Sequence, residues 1–329
     1  MSLSLSILDL AHIGPGKTAG ESIAASVELA RTAERSGYQR VWYAEHHNMP
    51  HIASSAPAVL IAHVGAHTST IRLGAGGVML PNHSPLSIAE QFGTLDAMYP
   101  GRIDLGLGRA PGSDQATTYA LRRDPSAAET FPRDVAELRD YLAGRSSVAG
   151  VDAVPGAGSR VPLYVLGSST FGAHLAAALG LPYAFASHFA PQALHAAVSA
   201  YRREFQPSEQ LDRPHVIAGV NVVAADSADD ARASFEQVQR RFAVSLFGRG
   251  RTFTEAEVDV LMQTAAGQHV GQMLSYAAVG TPADVRRYLD SFLDAAGADE
   301  LITAHQALDD EARLRSVELL AEVAQDVTV

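Results

Sequence analysis

The fold of this chain is constrained most by a regular alternation of short apolar segments with longer amphipathic ones. A short apolar segment bounded by turn residues is typical of a buried β-strand, and apolar residues at helical spacing are typical of a helix. We predict eight strands, near residues 3–9, 41–43, 71–75, 102–108, 163–166, 183–186, 215–223 and 300–304. Strand–helix units repeated through 329 residues favour a (β/α)8 barrel over an open, doubly wound sheet. The predicted fold class is therefore α/β, with residues 1–329 forming one TIM-barrel domain.

Two segments interrupt the repeat. Residues 110–132 are polar and contain Pro, Gly, Asp and Thr, so we predict a long loop over the barrel mouth, the end at which the strands have their C-termini. Residues 245–280 follow the seventh strand and contain Gly248-Arg249-Gly250-Arg251. Long insertions at strand C-termini commonly serve as lids. We therefore predict insertions at this face, with a lid at about residues 245–280.

Composition excludes several classes of function. The formal net charge of −11 argues against a nucleic-acid surface, which needs clustered Lys and Arg. The absence of cysteine excludes disulfides, thiolate metal sites, iron–sulfur clusters and a cysteine nucleophile. The N-terminus lacks the basic start and apolar run of a signal peptide, and no apolar stretch reaches the roughly 18 residues of a membrane helix. We expect a soluble cytoplasmic protein without nucleic-acid or membrane partners.

The second predicted strand stops abruptly in titratable residues, Glu45, His46 and His47. In α/β proteins the strand C-termini open onto the ligand crevice, so these side chains are candidate catalytic groups. Adjacent imidazoles can bind a metal, move a proton or stabilise an anion near neutral pH. The alternative is a polar loop whose histidines only cap and hydrogen-bond.

Glycines at the end of the third strand are a candidate cofactor platform. Gly76 and Gly77 follow Gly74-Ala75, and glycine weakens a buried strand unless the backbone must bend or something flat must approach closely. A planar cofactor ring would satisfy the second condition. A β-bulge or tight packing against a neighbouring strand would equally explain the glycines.

The ends of the fourth and fifth strands suggest a phosphate site. Arg109 lies in the glycine-rich segment 106–112, and a guanidinium can grip a phosphate with two parallel hydrogen bonds. Gly167, Ser168 and Ser169 open a helix whose first N–H groups could bind an anion. The alternatives are a salt bridge from Arg109 to Asp104 or Glu90, and ordinary helix capping by the serines. The two features support each other because adjacent strands bring them to one side of the mouth, and they suit a monophosphate.

A metal site is poorly supported. His63 and His67 are four residues apart on one predicted helix, which is the spacing of a zinc pair. The intervening Val64, Gly65 and Ala66 include no Glu, so the metalloprotease motif is absent. We interpret these histidines as helix-surface residues and predict no metal.

Several motifs occur in a defined order along the chain. They are Gly37-Tyr38 with Val41-Trp42 and Glu45-His46-His47; residues 73–81; Glu90-Gln91 with Leu95-Asp96, Gly101-Arg102 and residues 105–109; residues 166–169; and Gly280-Thr281-Pro282. This ordered set resembles that of the bacterial luciferase-like monooxygenases, which are flavin-dependent (β/α)8 enzymes. Within them it is similar to a bacterial branch distinct from the light-emitting subunits.

The resemblance implies reduced FMN bound at the mouth. Its phosphate would lie near Arg109 and Ser168-Ser169, and its ring would rest over Gly76–Gly77, where members of the family often have a cis peptide bond. Arg133 aligns loosely with a second phosphate-binding arginine. His46 matches the family's functional histidine, which would transfer protons to or from a C4a-peroxyflavin formed with O2, while Glu45 and His47 would orient it and tune its pKa.

The resemblance also implies partners. By the resemblance, two copies would associate through the second and third helices. Nothing in the sequence supplies a nicotinamide site, so we expect a separate flavin reductase to supply the reduced FMN. The loops predicted at the mouth are rich in Ala, Gly and Thr with few aromatic residues, which suggests a modest apolar substrate. Two alternatives remain within the same fold. One is hydride transfer with a deazaflavin coenzyme, for which Arg122 and Arg123 are the nearby candidates to bind its tail. The other is a flavin-binding protein without catalysis, against which the retention of Glu45-His46-His47 counts.

Overall fold

The computed structural model describes residues 3–110, 114–248 and 251–324. Parallel strands form a single sheet that closes on itself, with helices packed around it. The strands are β1 (Leu5–Asp9), β2 (Arg40–Tyr43), β3 (Arg72–Met79), β4 (Ile103–Gly108), β5 (Leu163–Gly167), β6 (Tyr183–Phe185), β7 (Val216–Ala224), β8 (Ala277–Gly280) and β9 (Glu300–His305).

Eight of these strands form the barrel. β1 pairs with β2 on one side and with β9 on the other, and the pairing of β6 with β7 closes the ring. The predicted (β/α)8 class is confirmed, and the eight predicted strands correspond to the eight strands of the ring. β8 was not predicted: it pairs in parallel with Asn221–Ala224 of β7, outside the ring. Its four residues, Ala277-Ala278-Val279-Gly280, are too short to give a strand pattern within a segment expected to be a lid.

Helices surround the barrel. They are α1 (Ala19–Arg35), α2 (Pro57–Gly65), α3 (Pro85–Met98), α4 (Gln115–Ala120), α5 (Phe131–Leu142), α6 (Thr170–Leu179), α7 (Leu194–Glu204), α8 (Ala228–Phe247), α9 (Glu255–Met262), α10 (Ala265–Met273), α11 (Pro282–Ala296) and α12 (Asp310–Ala324). Local signals fix several ends: Thr18 and Glu21 form a capping box at α1, and Gly180 ends α6 at φ +64°.

The long loop predicted for residues 110–132 is only partly a loop. It contains α4 and a 3₁₀ turn at Pro125–Glu129, and α5 begins within it. Neither α5 nor α11 was among the predicted helices, although both begin with Pro in the first turn, a favoured position. Since α5 follows β4 and α11 follows β8, the two helices complete the alternation of strands and helices.

Side chains alternate between two apolar layers along the strands. Ile7 and Val41 face the outer layer between barrel and helices, whereas Leu8 and Trp42 face the barrel lumen. The lumen cluster consists of Leu8, Trp42, Ala44, Tyr164, Ala184, Ile217 and Ile302. This period of two is the expected consequence of the pleat, because successive side chains point to opposite faces of a strand.

A buried charge network lies inside the barrel near the N-terminal ends of the strands. Asp104 accepts hydrogen bonds from Arg40 Nη1 at 2.8 Å, Arg72 Nε at 3.0 Å and Trp42 Nε1 at 3.1 Å. Arg40 also pairs with Glu300 at 3.0 Å. Burial alone would lower the pKa of Arg40. The negative charges of Glu300 and Asp104 outweigh the effect of burial, so that the pKa is raised. The network satisfies charges that would otherwise be costly to bury.

We expect Asp104→Ala to lower the free energy of unfolding by about 3–5 kcal/mol, since it leaves the Arg40 and Arg72 guanidinium groups without this partner. Urea unfolding followed by circular dichroism measures the loss. The control is Asp229→Ala on α8, whose side chain is 90% exposed; it should change stability by less than about 0.5 kcal/mol. Equal stabilities of the two variants would contradict the prediction.

Candidate active site

Glu45 anchors the loop that follows β2. Its buried carboxylate accepts hydrogen bonds from His47 Nε2 at 2.8 Å, His83 Nε2 at 2.9 Å and the Met79 N–H at 3.0 Å, with Asn82 Nδ2 at 3.3 Å. Burial would raise the pKa of Glu45, but the hydrogen bonds from His83 and His47 outweigh burial and lower it. An ionised Glu45 therefore ties the end of β2 to the turn after β3.

His46 stands apart from this arrangement. Its backbone N–H donates to the Ser54 carbonyl at 3.0 Å, but its ring Nδ1 is buried and has no hydrogen-bond partner in the described part of the chain. Glu45 thus acts on the His46 ring through its charge, without a hydrogen bond. Burial lowers the pKa of His46. The negative charge of Glu45 partly offsets this lowering, whereas His47 and His51 lower the pKa further. The ring is neutral near pH 7 and able to accept a proton.

The structure adds two histidines that the sequence had not indicated. His188 follows β6, and its charge would interact with that of His46. Burial, followed by the proximity of His46, lowers the pKa of His188 to about 4. His51 faces α8, with its Nε2 3.1 Å from Ser245 Oγ. The available signal for His188 was its place just after a predicted barrel strand, the same signal that identified His46.

The glycines of β3 are required by packing. A Cβ on Gly76 would lie 2.8 Å from the Cβ of Trp42, and one on Gly77 would lie 2.7 Å from the Gly106 carbonyl oxygen. The register between β3 and β4 also shifts between Ala75 and Val78. Close packing and a β-bulge therefore account for these glycines, independently of any cofactor ring at this position. The Gly76–Gly77 peptide bond is cis, as the resemblance led us to expect.

Arg109 and the start of α6 are brought together. The exposed Arg109 guanidinium lies 3.9 Å from the ring centroid of Phe171, the second residue of α6. Ser169 is the N-cap of α6 but makes no side-chain capping bond, and Ser168 beside it is exposed. Within the described residues no carboxylate pairs with Arg109; Asp104 is held by Arg40 and Arg72 instead. Residues 111 and 112 of this motif lie outside the described residues.

This geometry fits a phosphate. A helix N-terminus without a side-chain cap leaves backbone N–H groups for an anion, and Gly167 and Ser168 lead directly into it. Arg109 supplies the opposite charge from the neighbouring strand, since β4 and β5 pair through Gly108 and Leu166. Neither of the alternatives considered for these residues, the salt bridge and the serine cap, occurs in the described part of the chain.

Comparison with known proteins decides the family. The sequence profile described as luciferase-like monooxygenase matches residues 3–300. This chain belongs to the luciferase-like monooxygenase family. A protein of Escherichia coli (strain K12) named luciferase-like monooxygenase is 49% identical over 329 residues, 99% of this chain and 98% of that protein. The N-acetyl-S-alkylcysteine monooxygenase of Bacillus subtilis (strain 168) is 43% identical over 189 residues, 56% of this chain and 57% of that protein.

Solved structures agree with this placement. The crystal structure of apo-MsnO8 is 36% identical, covers 98% of both chains and has a TM-score of 0.88. Two more distant structures share the fold alone. One is the oxygenating constituent of 3,6-diketocamphane monooxygenase from Pseudomonas putida in complex with FMN, with 16% identity and a TM-score of 0.75 over 100% of this chain and 99% of that one. The other is an F420-dependent secondary alcohol dehydrogenase. It is 15% identical, has a TM-score of 0.74, and the match covers 99% of this chain and 100% of that one. The same fold is therefore found in one protein that binds FMN and in another that is F420-dependent.

The remaining predicted residue, Arg133, makes no described contact with the other predicted site residues. It occupies the first turn of α5, which follows β4 at the barrel mouth. Its exposed guanidinium pairs with Asp134 at 3.0 Å, and no contact to Arg109 or α6 is seen in the described residues. Its role as a second phosphate ligand stays a prediction.

The segment predicted as a lid is helical. Residues 245–280 contain the end of α8, α9, α10 and β8; Arg249 and Gly250 lie outside the described residues. A small apolar cluster of Ala243, Val270 and Leu274 holds α10 against α8. The Ser245–His51 contact joins this unit to the loop that carries His46. The segment thus borders the site, and its function as a lid stays a prediction.

His63 and His67 lie on the surface at the C-terminal end of α2. His67 Nδ1 lies 2.8 Å from the His63 carbonyl oxygen, so this pair interacts on the surface of the helix end. Among the described residues, no group of three or more His, Asp or Glu side chains is arranged to hold a metal ion. No described helix is both long and apolar enough to span a membrane.

Proposed function

We propose that this protein is an FMN-dependent, two-component monooxygenase that uses reduced flavin and O2 to oxidise a small organic substrate. The observation that carries the proposal is the pairing of a neutral, half-buried His46 with an anion cradle on the same barrel mouth. The named function of the Bacillus subtilis relative, a monooxygenase, supports oxygen chemistry over hydride transfer.

The residues suggest how FMN would be held. Arg109 and the first N–H groups of α6 would bind its phosphate, and the Gly76–Gly77 backbone would offer a surface without side chains to its ring. Bound reduced FMN would supply the electrons with which O2 is activated and one oxygen atom is transferred. The open Arg109 guanidinium and the α6 N-terminus without a side-chain cap are the features that fit this group.

His46 would take up and release protons during the reaction. A neutral imidazole at the mouth can accept a proton from a bound group and return it, which is general acid–base catalysis. Glu45 would keep the loop in place through His83 and Met79 and would favour the protonated form of His46 by its charge. The helices after β7 would limit access of water.

Partners follow from the same proposal. A separate flavin reductase would deliver reduced FMN, and two copies of the chain would associate through α2 and α3. These helices expose Val59 (68% exposed) and Met98 (51% exposed), the kind of apolar surface that a homodimer would cover. Sedimentation equilibrium of the wild type and of Val59→Asp measures the association; a monomeric wild type would contradict the dimer.

The proposal is tested by anaerobic titration of the purified protein with reduced FMN and, separately, with a deazaflavin coenzyme. We expect micromolar binding of reduced FMN and, on admission of air, oxidation of a screened substrate that consumes O2. Tight deazaflavin binding with no reaction toward O2 would instead establish hydride transfer. Tight binding of oxidised FMN without product would favour a flavin-binding protein, and binding of neither would overturn the phosphate site.

We expect Arg109→Ala to weaken reduced FMN binding by about 10- to 100-fold, the loss of one charged hydrogen-bonding partner worth about 1.5–3 kcal/mol. Fluorescence titration under anaerobic conditions measures the dissociation constant. The control is Arg232→Ala on α8, an exposed arginine paired with Asp229, which should leave binding unchanged. Arg133→Ala in the same assay tests the second arginine. Wild-type affinity in Arg109→Ala would remove Arg109 from the cofactor site.

A further inference from the structure

The loop that carries His46 is held from two sides by buried carboxylates. On the side of β3, Glu45 binds the Met79 N–H and His83. On the side of β1 lies Asp9, the last residue of that strand, whose side chain is fully buried. The buried Nδ1 of the His46 ring has no hydrogen-bond partner in the described part of the chain. The position of the ring therefore depends on how its backbone is fixed.

Asp9 fixes a tight turn directly after β1. Its Oδ1 atom accepts the Ala11 N–H at 2.9 Å, which is the side-chain-to-backbone bond of an Asx turn. Ala11 is buried and has φ +48°, a left-handed conformation that residues with a side chain rarely adopt. Since the bond to Asp9 offsets the cost of this conformation, the direction of the chain after β1 depends on Asp9.

The Asp9 carboxylate is itself held by two helices. Ser26 of α1 donates to its Oδ2 at 2.5 Å, and Arg313 of α12 donates to its Oδ1 at 2.7 Å. Burial alone would raise the pKa of Asp9, but the charge of Arg313 and the hydrogen bonds outweigh this effect, so that the pKa is lowered. Asp9 is therefore an ionised, fixed anchor in the outer layer between barrel and helices.

Backbone hydrogen bonds join this turn to the His46 loop. The Ala53 N–H donates to the Ala11 carbonyl at 3.0 Å. This bond belongs to a short antiparallel bridge between the loops that follow β1 and β2. The next residue, Ser54, accepts the His46 N–H at 3.0 Å through its carbonyl. Each step from Asp9 to the His46 backbone is thus a hydrogen bond or a neighbouring residue.

We propose that Asp9 is a positioning residue for His46: by fixing the left-handed turn at Ala11, it sets the backbone that bears the imidazole. The catalytic role of His46 rests on the proposed function, but the dependence of its loop on Asp9 is a property of the protein alone. Because Asp9 contacts α1 and α12, it acts through the backbone and not by contact with a ligand.

The dependence is tested by hydrogen exchange of the flavin-free protein, followed by mass spectrometry. We expect Asp9→Ala to speed exchange in residues 44–54 by about 10-fold or more relative to residues 216–224 of β7. Asp9→Asn keeps an oxygen that can accept the Ala11 N–H, so it should retain most of the protection. The matched control is Asp104→Ala, which removes an equally buried carboxylate at the other end of the barrel and should leave this ratio unchanged.

Equal ratios in Asp9→Ala and Asp104→Ala would overturn the proposal, because the effect would then be one of general stability. Equal loosening in Asp9→Asn and Asp9→Ala would also overturn it, since only the alanine variant lacks the acceptor. If Asp9→Ala does not fold, Ala11→Val breaks the same turn with the carboxylate intact, because a β-branched residue is strongly disfavoured at positive φ. Wild-type exchange of residues 44–54 in that variant would contradict the role of the turn.

The consequence for the reaction is tested separately, with reduced FMN and a screened substrate. Asp9→Ala should lower the product formed per reduced FMN by about 10-fold or more, since a displaced catalytic group loses its alignment. FMN affinity should stay within a few-fold, and Asp9→Asn should restore most of the yield. Unchanged yield in a variant with a loosened loop would overturn the positioning role. Because the exchange experiment needs no cofactor, failure of flavin binding with the exchange result intact would reject the proposed function alone.

Discussion

Replacement of His46 by alanine should reduce the rate of substrate oxygenation by about 10²- to 10⁴-fold, the usual contribution of a general acid–base residue. Reduced FMN affinity should stay within a few-fold, because the phosphate site that we propose at Arg109 and the start of α6 belongs to other strands. The measurement is product formed and hydrogen peroxide released per reduced FMN consumed, with a substrate found by screening the wild type. We expect the flavin still to be oxidised, but with peroxide in place of product.

The matched control is His63→Ala, which removes an exposed imidazole from α2. It should retain wild-type product yield, which would show that the effect of His46→Ala is specific to His46 and does not follow from the loss of an arbitrary histidine. Unchanged product yield in His46→Ala would remove His46 from the catalytic role. A loss of FMN binding as large as that of activity would instead place His46 in the cofactor site.

The free energy of unfolding should fall steeply as the pH is lowered from about 6.5 to 4.5, and the fall should begin above the range in which carboxylates titrate. Burial lowers the pKa of His305 to about 3 and, with His46, that of His188 to about 4. In the unfolded chain both would titrate near 6.5. The unfolded state therefore binds protons in this range that the folded state cannot, so stability is complete above about pH 6.5 and is lost as the pH falls.

The expected loss is about 1.4 kcal/mol per unit of pH for each histidine that stays neutral in the fold, as an upper limit. His305 is 4% exposed and should contribute most; His188 is half-buried and should contribute less. Urea unfolding at pH 7.5, 6.5, 5.5 and 4.5 gives the slope. His305→Gln should flatten it, and His63→Gln, at an exposed site, should not. A free energy of unfolding that is constant between pH 6.5 and 4.5 would refute the argument.

The sequence alone determined the barrel and the ends of strands at which a site could form. The rhythm of strands and helices depends on local apolar periodicity, which each segment carries in its own residues. The same holds for the titratable end of β2 and the open helix start at Ser168-Ser169, because strand ends can be recognised from their neighbours in the chain. β8 was missed because its four residues are too few to give a strand pattern. α5 was missed although Pro132 lies in its first turn, because the helix begins within the segment that was expected to be a loop.

Only the tertiary structure decided which side chains meet. Because the barrel closes, His188 after β6 lies at the same mouth as His46. The carboxylate of Glu45 bonds to His83 and to the Met79 N–H, and not to the His46 ring. Packing of α6 against the barrel sets Arg109 over Phe171. These contacts join residues far apart in sequence, and their geometry depends on how two elements pack at once. Because no single segment carries that information, the chemical environment of His46 emerged only from the folded barrel.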